Sequence, residues 1–265
     1  MQVGVIPADA RQHSVAAAFE ARGDEVVYLT LSDPLPEIVL FPMPVSEDGV
    51  TVFANGDKLT DWFVRLQGRT VYGGRVSEAV QTLAAQYGVT FWDHFKQEEE
   101  IIRNIIPTVE GALQLAMEQT PFTLHGSAVL VCGYGRIGKL LSRHLAALGA
   151  VVTVSARKGA DLAWCQTLGY GTVFTADLQA CVGKQRIIFN TVPTLLFDRT
   201  VLDKIPSEAL IIDLASAPGG VDFAYAASSG KRALQALGLP AKVAPRTAGE
   251  IICRTIMERE ENTRG

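Results

Sequence analysis

Three glycines, Gly133, Gly135 and Gly138, follow a short apolar segment and have a spacing that suits the binding of phosphate groups. The pattern G-x-G-x-x-G is typical of a turn that joins a buried strand to a helix. The first glycine permits a tight bend, the second lets backbone approach a ligand, and the third permits close packing of the helix. Free N–H groups at the start of the helix attract a pyrophosphate. The pattern therefore predicts binding of a dinucleotide.

The residues around the glycines support this interpretation. Residues 128–132 form an apolar run of the kind found in a strand that is covered on both faces, and residues 137–148 repeat apolar side chains at helical spacing. A second apolar run, residues 151–154, completes a β-α-β unit of about 30 residues, as the motif requires. We expect the cofactor to contact the whole turn, which comprises Gly133, Tyr134, Gly135, Arg136, Ile137 and Gly138.

The end of the second strand of this unit indicates which dinucleotide is bound. An NAD-selective fold has a carboxylate there, about 20 residues past the glycines, which binds the ribose 2′-hydroxyl. This chain has Ser155, Arg157 and Lys158 instead. Arginine can bind a 2′-phosphate through two parallel hydrogen bonds, and serine can donate another. We therefore predict NADP; the alternative is that both cations are solvated and that Ser155 caps a turn.

The composition is that of an ordinary globular protein, with 48% hydrophobic and 20% charged residues in a chain of 265. The net charge of −4 and the absence of a long basic run argue against nucleic-acid binding. We see neither an apolar run of about 18 residues nor a signal-peptide pattern, so we expect a cytoplasmic protein that does not span a membrane. The four cysteines are dispersed, which predicts reduced thiols and no metal site.

Strands and helices alternate along the sequence, which predicts an α/β protein of two domains. Residues 1–118 are expected to form a smaller, flavodoxin-like α/β domain that ends in linking helices, kinked or broken at Pro107. Residues 119–240 are expected to form a Rossmann domain that binds NADP, and residues 241–265 a C-terminal segment that packs back on the first domain. Within the first domain we expect a helix over residues 14–21, a hairpin over residues 47–55 and a polar segment over residues 56–61.

Four segments resemble the dipicolinate synthase A-subunit family of spore-forming bacteria: residues 104–112, 190–193, 213–220 and 236–245. The resemblance implies a fold like that of alanine and D-hydroxyacid dehydrogenases. It also implies an NADP-linked oxidation of dihydrodipicolinate to dipicolinate, and a partner, the B-subunit of the same dipicolinate synthase. We further expect the chain to form a homo-oligomer.

Three of these segments, residues 190–193, 213–220 and 236–245, follow strands of the Rossmann domain. Because ligands of open parallel sheets bind at the carboxyl ends of strands, we expect the first two segments to line the cofactor site. The residues concerned are Asn190, Thr191, Val192, Pro193, Asp213 and Ala215. Asn190 and Thr191 can bind ribose or carboxamide groups, or they can cap the turn at the strand end. Residues 218–220 either let backbone pass close to a ligand or form a plain turn.

A substrate with two carboxylates requires cations or clustered N–H donors, in a cleft expected between residues 1–118 and 119–240. The candidates are Lys242 in a loop bounded by prolines, Arg246, Thr247, and Arg75 and Arg11 in strand-to-helix loops. The alternative for the arginines is ordinary surface exposure, and Thr247 can instead cap the last helix.

The sequence does not identify an acid or base. A D-2-hydroxyacid dehydrogenase carries its acid/base histidine after the nucleotide domain, but the four histidines here are His13, His94, His125 and His144. That chemistry is therefore not expected, and His94 and Lys242 are the candidates, with a surface or packed histidine as the alternative for His94. Two other functions stay open: an NADP-binding scaffold or regulatory subunit without chemistry, and another small-acid dehydrogenase of the same fold.

Overall fold

The computed structural model describes residues 1–264, and this part of the chain forms two compact units. The first unit contains Met1–Pro107 and the C-terminal segment from Pro240 onward, and the second contains Thr108–Leu239. The sequence boundaries at residues 118 and 240 differ from this division mainly in one helix, residues 105–119, most of which belongs to the second unit. Gly265, at the end of the expected C-terminal segment, lies outside the described residues.

Strands and helices alternate through most of both units. The strands are β1 (Gln2–Val5), β2 (Glu25–Tyr28), β3 (Ile38–Leu40), β4 (Thr70–Gly73), β5 (Thr90–Asp93), β6 (Ala128–Cys132), β7 (Val151–Ala156), β8 (Gly171–Phe174), β9 (Ile187–Asn190), β10 (Leu210–Asp213) and β11 (Arg232–Gln235). The helices are α1 (Ala10–Arg22), α2 (Leu59–Arg65), α3 (Glu78–Gln86), α4 (Glu98–Arg103), α5 (Ile105–Gln119), α6 (Arg136–Ala147), α7 (Gly159–Thr167), α8 (Arg199–Leu202), α9 (Phe223–Ser228), α10 (Leu239–Val243) and α11 (Pro245–Arg264). Short 3₁₀ segments lie at His94–Lys96, Thr175–Ala180 and Val182–Lys184.

The sheet of the first unit has the strand order β2-β1-β3-β4-β5, and all of its strands are parallel. This is the flavodoxin-like order, which confirms the predicted class of the smaller domain. Alternate side chains point to opposite faces of a strand. Ile38 and Leu40 accordingly join a core cluster with α1 and α11, while Val39 and Phe41 pack in a second cluster with α2 and α3.

The sheet of the second unit has the order β11-β10-β9-β6-β7-β8 and is also parallel throughout. If β6 is taken as the first strand of the domain, this is the strand order of a dinucleotide-binding Rossmann fold. The predicted Rossmann fold of this domain is confirmed. The strand order reverses between β6 and β9, and ligands of such folds bind at this point of the carboxyl edge. The residues that follow β6, β7, β9 and β10 therefore lie where such folds bind their ligands.

Three local predictions in the first unit were wrong. Helix α1 begins at Ala10, four residues earlier than expected, because the Asp9 carboxylate caps the N–H groups of Arg11 and Gln12. Residues 47–55 form a loop and not a hairpin, since the Asp48 carboxylate accepts two backbone N–H groups at 2.8 Å and folds the loop on itself. The segment expected to be polar over residues 56–61 contains the start of α2, whose Leu59 is buried.

The predicted break near Pro107 divides two helices, α4 and α5. The break itself lies at Asn104, the C-terminal cap of α4. Pro107 occupies the first turn of α5, where a missing N–H leaves no hydrogen bond unmade. The alternative of two helices is therefore confirmed, but the proline lies in the first turn of the second helix and does not end the first.

The C-terminal helix α11 packs closely on α1. Ile256 of α11 and Phe19 of α1 belong to the same core cluster. The backbones approach so closely that a Cβ atom added at Gly249 would collide with the carbonyl oxygen of Ser14. Helix α11 begins three residues before the predicted Ala248, so the close contact is made in its first two turns.

The four cysteines are free thiols; Cys132, Cys165 and Cys253 are buried and Cys181 is half-buried. Burial raises the pKa of the Cys132 thiol to about 12, so this group stays protonated at neutral pH. Among residues 1–264, no helix combines the length and the apolar character that crossing a membrane requires.

Candidate functional site

The turn between β6 and α6 excludes side chains at two of its glycines. Gly133 has a φ of +96°, which favours glycine, and a Cβ atom there would also collide with Thr191 Oγ1. A Cβ atom at Gly138 would collide with the carbonyl oxygen of Gly133. These two glycines therefore let the helix start directly against the end of the strand, as the sequence motif predicts.

The middle glycine faces open space. A Cβ atom at Gly135 would meet no other atom within 4 Å. Gly135 is also the N-cap of the 12-residue helix α6, and no side chain caps the N–H groups of the first turn. Those N–H groups and the positive end of the helix dipole suit a pyrophosphate. The residues present thus fit the phosphates of a dinucleotide.

The other side chains of the turn point in different directions. The Tyr134 ring lies 5.6 Å from Lys139 Nζ, and burial together with neighbouring Cys165 raises the pKa of Tyr134 to about 12. Tyr134 therefore packs toward α6 and α7, away from the open space. Arg136 is exposed and Ile137 is half-buried. Of these three, Arg136 presents its side chain at the surface of the turn.

At the end of β7 the predicted residues separate into two groups. Ser155 is fully buried, and its hydroxyl lies against the buried Cys132 thiol. The expectation that Ser155 donates to a 2′-phosphate is therefore corrected, because the side chain does not reach the surface. Arg157 and Lys158 are exposed, immediately before the first residue of α7. Neither side chain makes a hydrogen bond or ion pair with residues 1–263, so both side chains are available to an anion.

Strands β9 and β10 end in a buried amide–carboxylate pair. Asn190 Nδ2 donates to Asp213 Oδ1 at 2.8 Å and to the Val192 carbonyl at 3.0 Å, and Asn190 Oδ1 accepts the Val192 N–H. Asp213 also accepts the N–H groups of Ala215 and Gly220. Both side chains are fully buried. Asn190 therefore corresponds to the turn-capping alternative, and the Asp213 carboxylate is likewise occupied by donors of the protein.

The loops that this pair holds lie beside the glycine turn. Thr191 Oγ1 donates to the Cys132 carbonyl at 2.8 Å, which brings the loop after β9 against the end of β6. Pro193 is exposed and Val192 is half-buried. A Cβ atom at Gly220 would collide with Asn190 Nδ2. This glycine therefore permits protein to pack on protein, which corrects the idea that it lets a ligand approach.

A second polar cluster lies at the carboxyl edge of the sheet in the first unit. Arg11 donates to the carbonyl of Met43, the third residue after β3, at 2.6 Å. Burial lowers the pKa of Arg11; the nearby Asp9 opposes this shift and the charge of Arg75 adds to it. The two guanidinium groups therefore lie close enough to repel each other, and an anion placed between them would relieve that repulsion.

Arg75 is held in an unusual backbone conformation. Its φ is +53°, in the left-handed region, which costs a residue with a side chain about 1 kcal/mol. The Asp93 carboxylate accepts the N–H groups of Arg75 at 3.1 Å and of Val76 at 3.0 Å, and so stabilises this turn. The Arg75 guanidinium lies 5.9 Å from the Phe95 ring centroid and makes no ion pair within residues 1–263.

Sequence reasoning did not identify Asp93, although its place at the end of β5 matches that of Asp213 at the end of β10. It also did not identify Glu100, because three consecutive glutamates, residues 98–100, give no indication of which one is buried. Glu100 is fully buried, and its carboxylate oxygens lie 2.9 Å and 3.0 Å from His94 Nδ1. His94 is thus a buried histidine with an acidic partner. The described residues contain no cluster of three or more potential metal ligands.

The remaining predicted substrate residues lie on the surface. Lys242 is exposed and belongs to α10, so the constrained loop expected there is wrong. Arg246 is 90% exposed and pairs with Glu250 at 2.9 Å. Thr247 is exposed inside α11 and does not cap it. No hydrogen bond or ion pair within residues 1–263 joins any of these three residues to Arg11 or Arg75.

Comparison with known proteins identifies the family. The A-subunit of dipicolinate synthase from Bacillus subtilis (strain 168) is 38% identical over 256 residues, which cover 94% of this chain and 84% of that protein. The chain belongs to the dipicolinate synthase A-subunit family. No family model matches the chain.

Two solved structures of this family have the same architecture. The A chain of dipicolinate synthase from Bacillus subtilis superposes with a TM-score of 0.87 at 31% identity, covering all of this chain and 98% of that one. The A-subunit of dipicolinate synthase from Bacillus halodurans gives a TM-score of 0.89 at 28% identity, covering 97% of each chain. The expected family membership is thereby confirmed.

More distant structures show the fold alone. A D-lactate dehydrogenase from Salmonella has a TM-score of 0.65 at 15% identity, over all of this chain and 98% of that one. An L-alanine dehydrogenase has a TM-score of 0.66 at 13% identity, over 98% of this chain and 89% of that one. The predicted likeness to the alanine and D-hydroxyacid dehydrogenase fold is confirmed.

Proposed function

We propose that this chain oxidises dihydrodipicolinate to dipicolinate with NADP as the hydride acceptor. The proposal is carried by the glycine turn of this chain, which belongs to the dipicolinate synthase A-subunit family. The space next to Gly135 is open, and no side chain caps the N–H groups in the first turn of α6. Aromatising a dihydropyridine removes a hydride and a proton from the ring. A nicotinamide dinucleotide supplies the acceptor for the hydride.

The cofactor residues act in three places in this proposal. Backbone N–H groups of the turn around Gly135 bind the pyrophosphate. Arg157 and Lys158, exposed and unpaired after β7, bind the 2′-phosphate, because arginine can offer two parallel donors to it. Thr191, Val192 and Pro193 line the edge beside Gly133. Asn190 and Asp213 are positioning residues, because their buried side chains hold the loops after β9 and β10 in place.

For the substrate carboxylates we favour Arg11 and Arg75. Arg75 is unpaired, and both lie at the carboxyl edge of a parallel sheet, where such folds bind ligands. Each guanidinium can bind a carboxylate through two hydrogen bonds. Lys242, Arg246 and Thr247 are less suited, since all three are exposed on helices and Arg246 already has an acidic partner.

The proposal extends to partners and location. The relatives are named as the A-subunit of a synthase, so we propose that this chain works with the corresponding B-subunit. We also propose a cytoplasmic homo-oligomer, in which a soluble dicarboxylate is the substrate.

An absorbance assay for NADPH formation tests the reaction. Dihydrodipicolinate is generated enzymatically in the cuvette, and this chain is added with NADP, alone and together with the B-subunit. Turnover by this chain alone supports the proposal. If NADPH binds but no condition gives turnover, the chain is a scaffold or regulatory subunit. If another small acid is the better substrate in a panel of acids, the substrate assignment is wrong.

Titration calorimetry with NADPH and NADH tests the choice of cofactor. We expect tighter binding of NADPH, and we expect Arg157→Asp to reverse the preference because it repels the 2′-phosphate and offers a carboxylate to a 2′-hydroxyl. Lys184→Asp is the matched control, since it makes the same change of charge at an exposed site before β9, at the opposite edge of the sheet. A wild-type protein that prefers NADH contradicts the 2′-phosphate argument.

A further inference from the structure

The geometry points to His94 as the group that accepts the proton leaving the substrate ring, with Glu100 as the residue that positions it. This inference rests on the proposed function and adds its acid–base step. It concerns side chains of the first unit only.

The two nitrogens of the His94 ring have different surroundings. Nδ1 lies 2.9 Å from Glu100 Oε1 and 3.0 Å from Oε2, and both side chains are almost completely buried. Nε2 makes no hydrogen bond to residues 1–263. A histidine with one nitrogen held by a carboxylate and the other left without a protein partner has the arrangement of a general base.

The Nε2 side of the His94 ring lies beside Gly74 and Met43, and each of these two residues connects to one of the two arginines. A Cβ atom at Gly74 would lie 2.7 Å from His94 Nε2 and 2.6 Å from Met43 Sδ, so a glycine is needed between the ring and Met43. The carbonyl of the same Met43 accepts the Arg11 guanidinium, and Gly74 directly precedes Arg75. The proton acceptor and both carboxylate-binding groups thus meet at one edge of one sheet.

Glu100 differs from the neighbouring carboxylate in a way that suits chemistry. Asp93 is occupied by backbone N–H groups of Arg75, Val76 and Phe95, so its role is to hold the chain. Within residues 1–263, the hydrogen bonds to the Glu100 carboxylate involve His94 Nδ1 alone. Burying an ionised carboxylate costs free energy, which a single hydrogen-bond donor offsets only in part. A carboxylate that stabilises a transient imidazolium explains the pair better.

The proton balance of the step is simple. One ring carbon loses a hydride, which carries two electrons to NADP. A second ring position loses a proton, and the two electrons of that bond enter the aromatic ring. The proton forms a bond to Nε2 of neutral His94, while Nδ1–H continues to donate to Glu100. The positive charge that develops on the imidazole is neutralised by Glu100, and Nε2 later releases the proton to solvent.

Chemical rescue tests the role of His94. We expect His94→Ala to lower kcat by roughly 100-fold or more, the usual contribution of a general base, and added imidazole to restore part of the rate. Glu100→Gln should lower kcat by roughly tenfold at a nearly unchanged KM, as expected of a positioning residue. His13→Gln is the control, because His13 is exposed on α1 in the same unit. NADPH affinity and thermal melting check that each variant is folded.

A second measurement does not depend on turnover or on a folded His94→Ala variant. The ring signals of His94 are followed by NMR in the wild-type protein, assigned with His94→Gln, during titration with pyridine-2,6-dicarboxylate. We expect them to shift, and to shift less in Arg75→Ala. Unchanged His94 signals overturn the inference, whether or not the enzyme turns over. Wild-type turnover with equally active His94→Ala overturns it while leaving the proposed function intact. Shifted signals without any turnover support the site and reject the oxidation.

Discussion

The side-chain amide of Asn190 donates a 2.8 Å hydrogen bond to the carboxylate of Asp213, and both groups are fully buried. The two residues are register partners at the carboxyl ends of β9 and β10. Through Val192 on one side and Gly220 on the other, the pair joins the two loops that follow these strands. The two loops beside the glycine turn are therefore held in place by a hydrogen bond within the protein, without a bound ligand.

Replacing Asp213 with Asn tests this contact. In the wild type, one carboxylate oxygen accepts the Asn190 amide and the other accepts the Gly220 N–H. An asparagine side chain has the same shape but only one oxygen, so either Asn190 or Gly220 loses its acceptor. An unsatisfied buried donor costs about 2 kcal/mol, and we expect that loss in the free energy of unfolding, measured by urea denaturation. Asp177→Asn, at an exposed position of the same unit, should change the urea midpoint little. Equal midpoints for the two variants would contradict the structural role.

The glycine turn predicts opposite outcomes for two alanine substitutions. Gly138→Ala places a Cβ atom against the Gly133 carbonyl oxygen, and we expect it to destabilise the protein by roughly 3 kcal/mol. Gly135→Ala meets no atom, so we expect its stability to stay within about 0.5 kcal/mol of the wild type. We nevertheless expect its affinity for NADPH to fall by roughly tenfold, about 1.4 kcal/mol, because the methyl group occupies the space for the pyrophosphate. Thermal melting and titration calorimetry measure the two effects, and unchanged NADPH affinity in Gly135→Ala contradicts the placement.

The contact of α11 with α1 predicts that alanine is worse than glycine inside a helix. Alanine normally stabilises a helix interior by about 1 kcal/mol relative to glycine. At Gly249, however, the added Cβ atom would collide with backbone atoms of Ser14, and such overpacking costs up to about 3 kcal/mol. We expect Gly249→Ala to lower the unfolding free energy by roughly 2 kcal/mol in urea denaturation. Glu250→Ala, the exposed neighbour, is the control, and a more stable Gly249→Ala would show that the helices are not in close contact.

The loop at Asp48 predicts a dependence of stability on pH. Hydrogen bonds from the backbone N–H of Thr51, then that of Val50, and from the hydroxyls of Thr51 and Ser46 hold the pKa of Asp48 well below its usual range. A lowered folded-state pKa stabilises the protein above the unfolded pKa of about 3.9 and loses this contribution as the pH falls below that value. We expect the urea midpoint of the wild type to fall more steeply below pH 4 than that of Asp48→Asn. Parallel curves for the two proteins would show that the loop carboxylate does not contribute.

Arg75 and Arg246 were equal candidates in the sequence, and the structure separates them. Arg75 is unpaired beside Arg11, whereas Arg246 pairs with Glu250 on an exposed helix face. We expect Arg75→Ala to weaken binding of pyridine-2,6-dicarboxylate by roughly tenfold or more, since a charged hydrogen bond contributes about 1.5 to 3 kcal/mol. Arg246→Ala should bind like the wild type in the same calorimetric titration. The reverse result would place the dicarboxylate at α11.

Features that depend on neighbouring residues were predictable. The glycine spacing and the apolar runs on either side identified β6, α6 and β7, because backbone hydrogen bonds and side-chain periodicity act over a few residues. The strand–helix alternation identified two parallel α/β domains for the same reason. Local side-chain capping produced the errors: Asp9 started α1 early, and Asp48 replaced a hairpin turn with a closed loop.

The candidate sites depended on contacts between distant segments. Arg11, Met43, Gly74 and His94 come from four separate segments of the chain, and the strand order of the sheet brings them to one edge. Whether a polar side chain at a strand end faces a ligand or the interior also depends on packing, which explains why Ser155, Asn190 and Asp213 proved to be buried. Composition and spacing specify the elements and the turn that binds phosphate, since those are local properties. The pairing of Glu100 with His94 required the folded chain, because only packing determines which of three consecutive glutamates is removed from water.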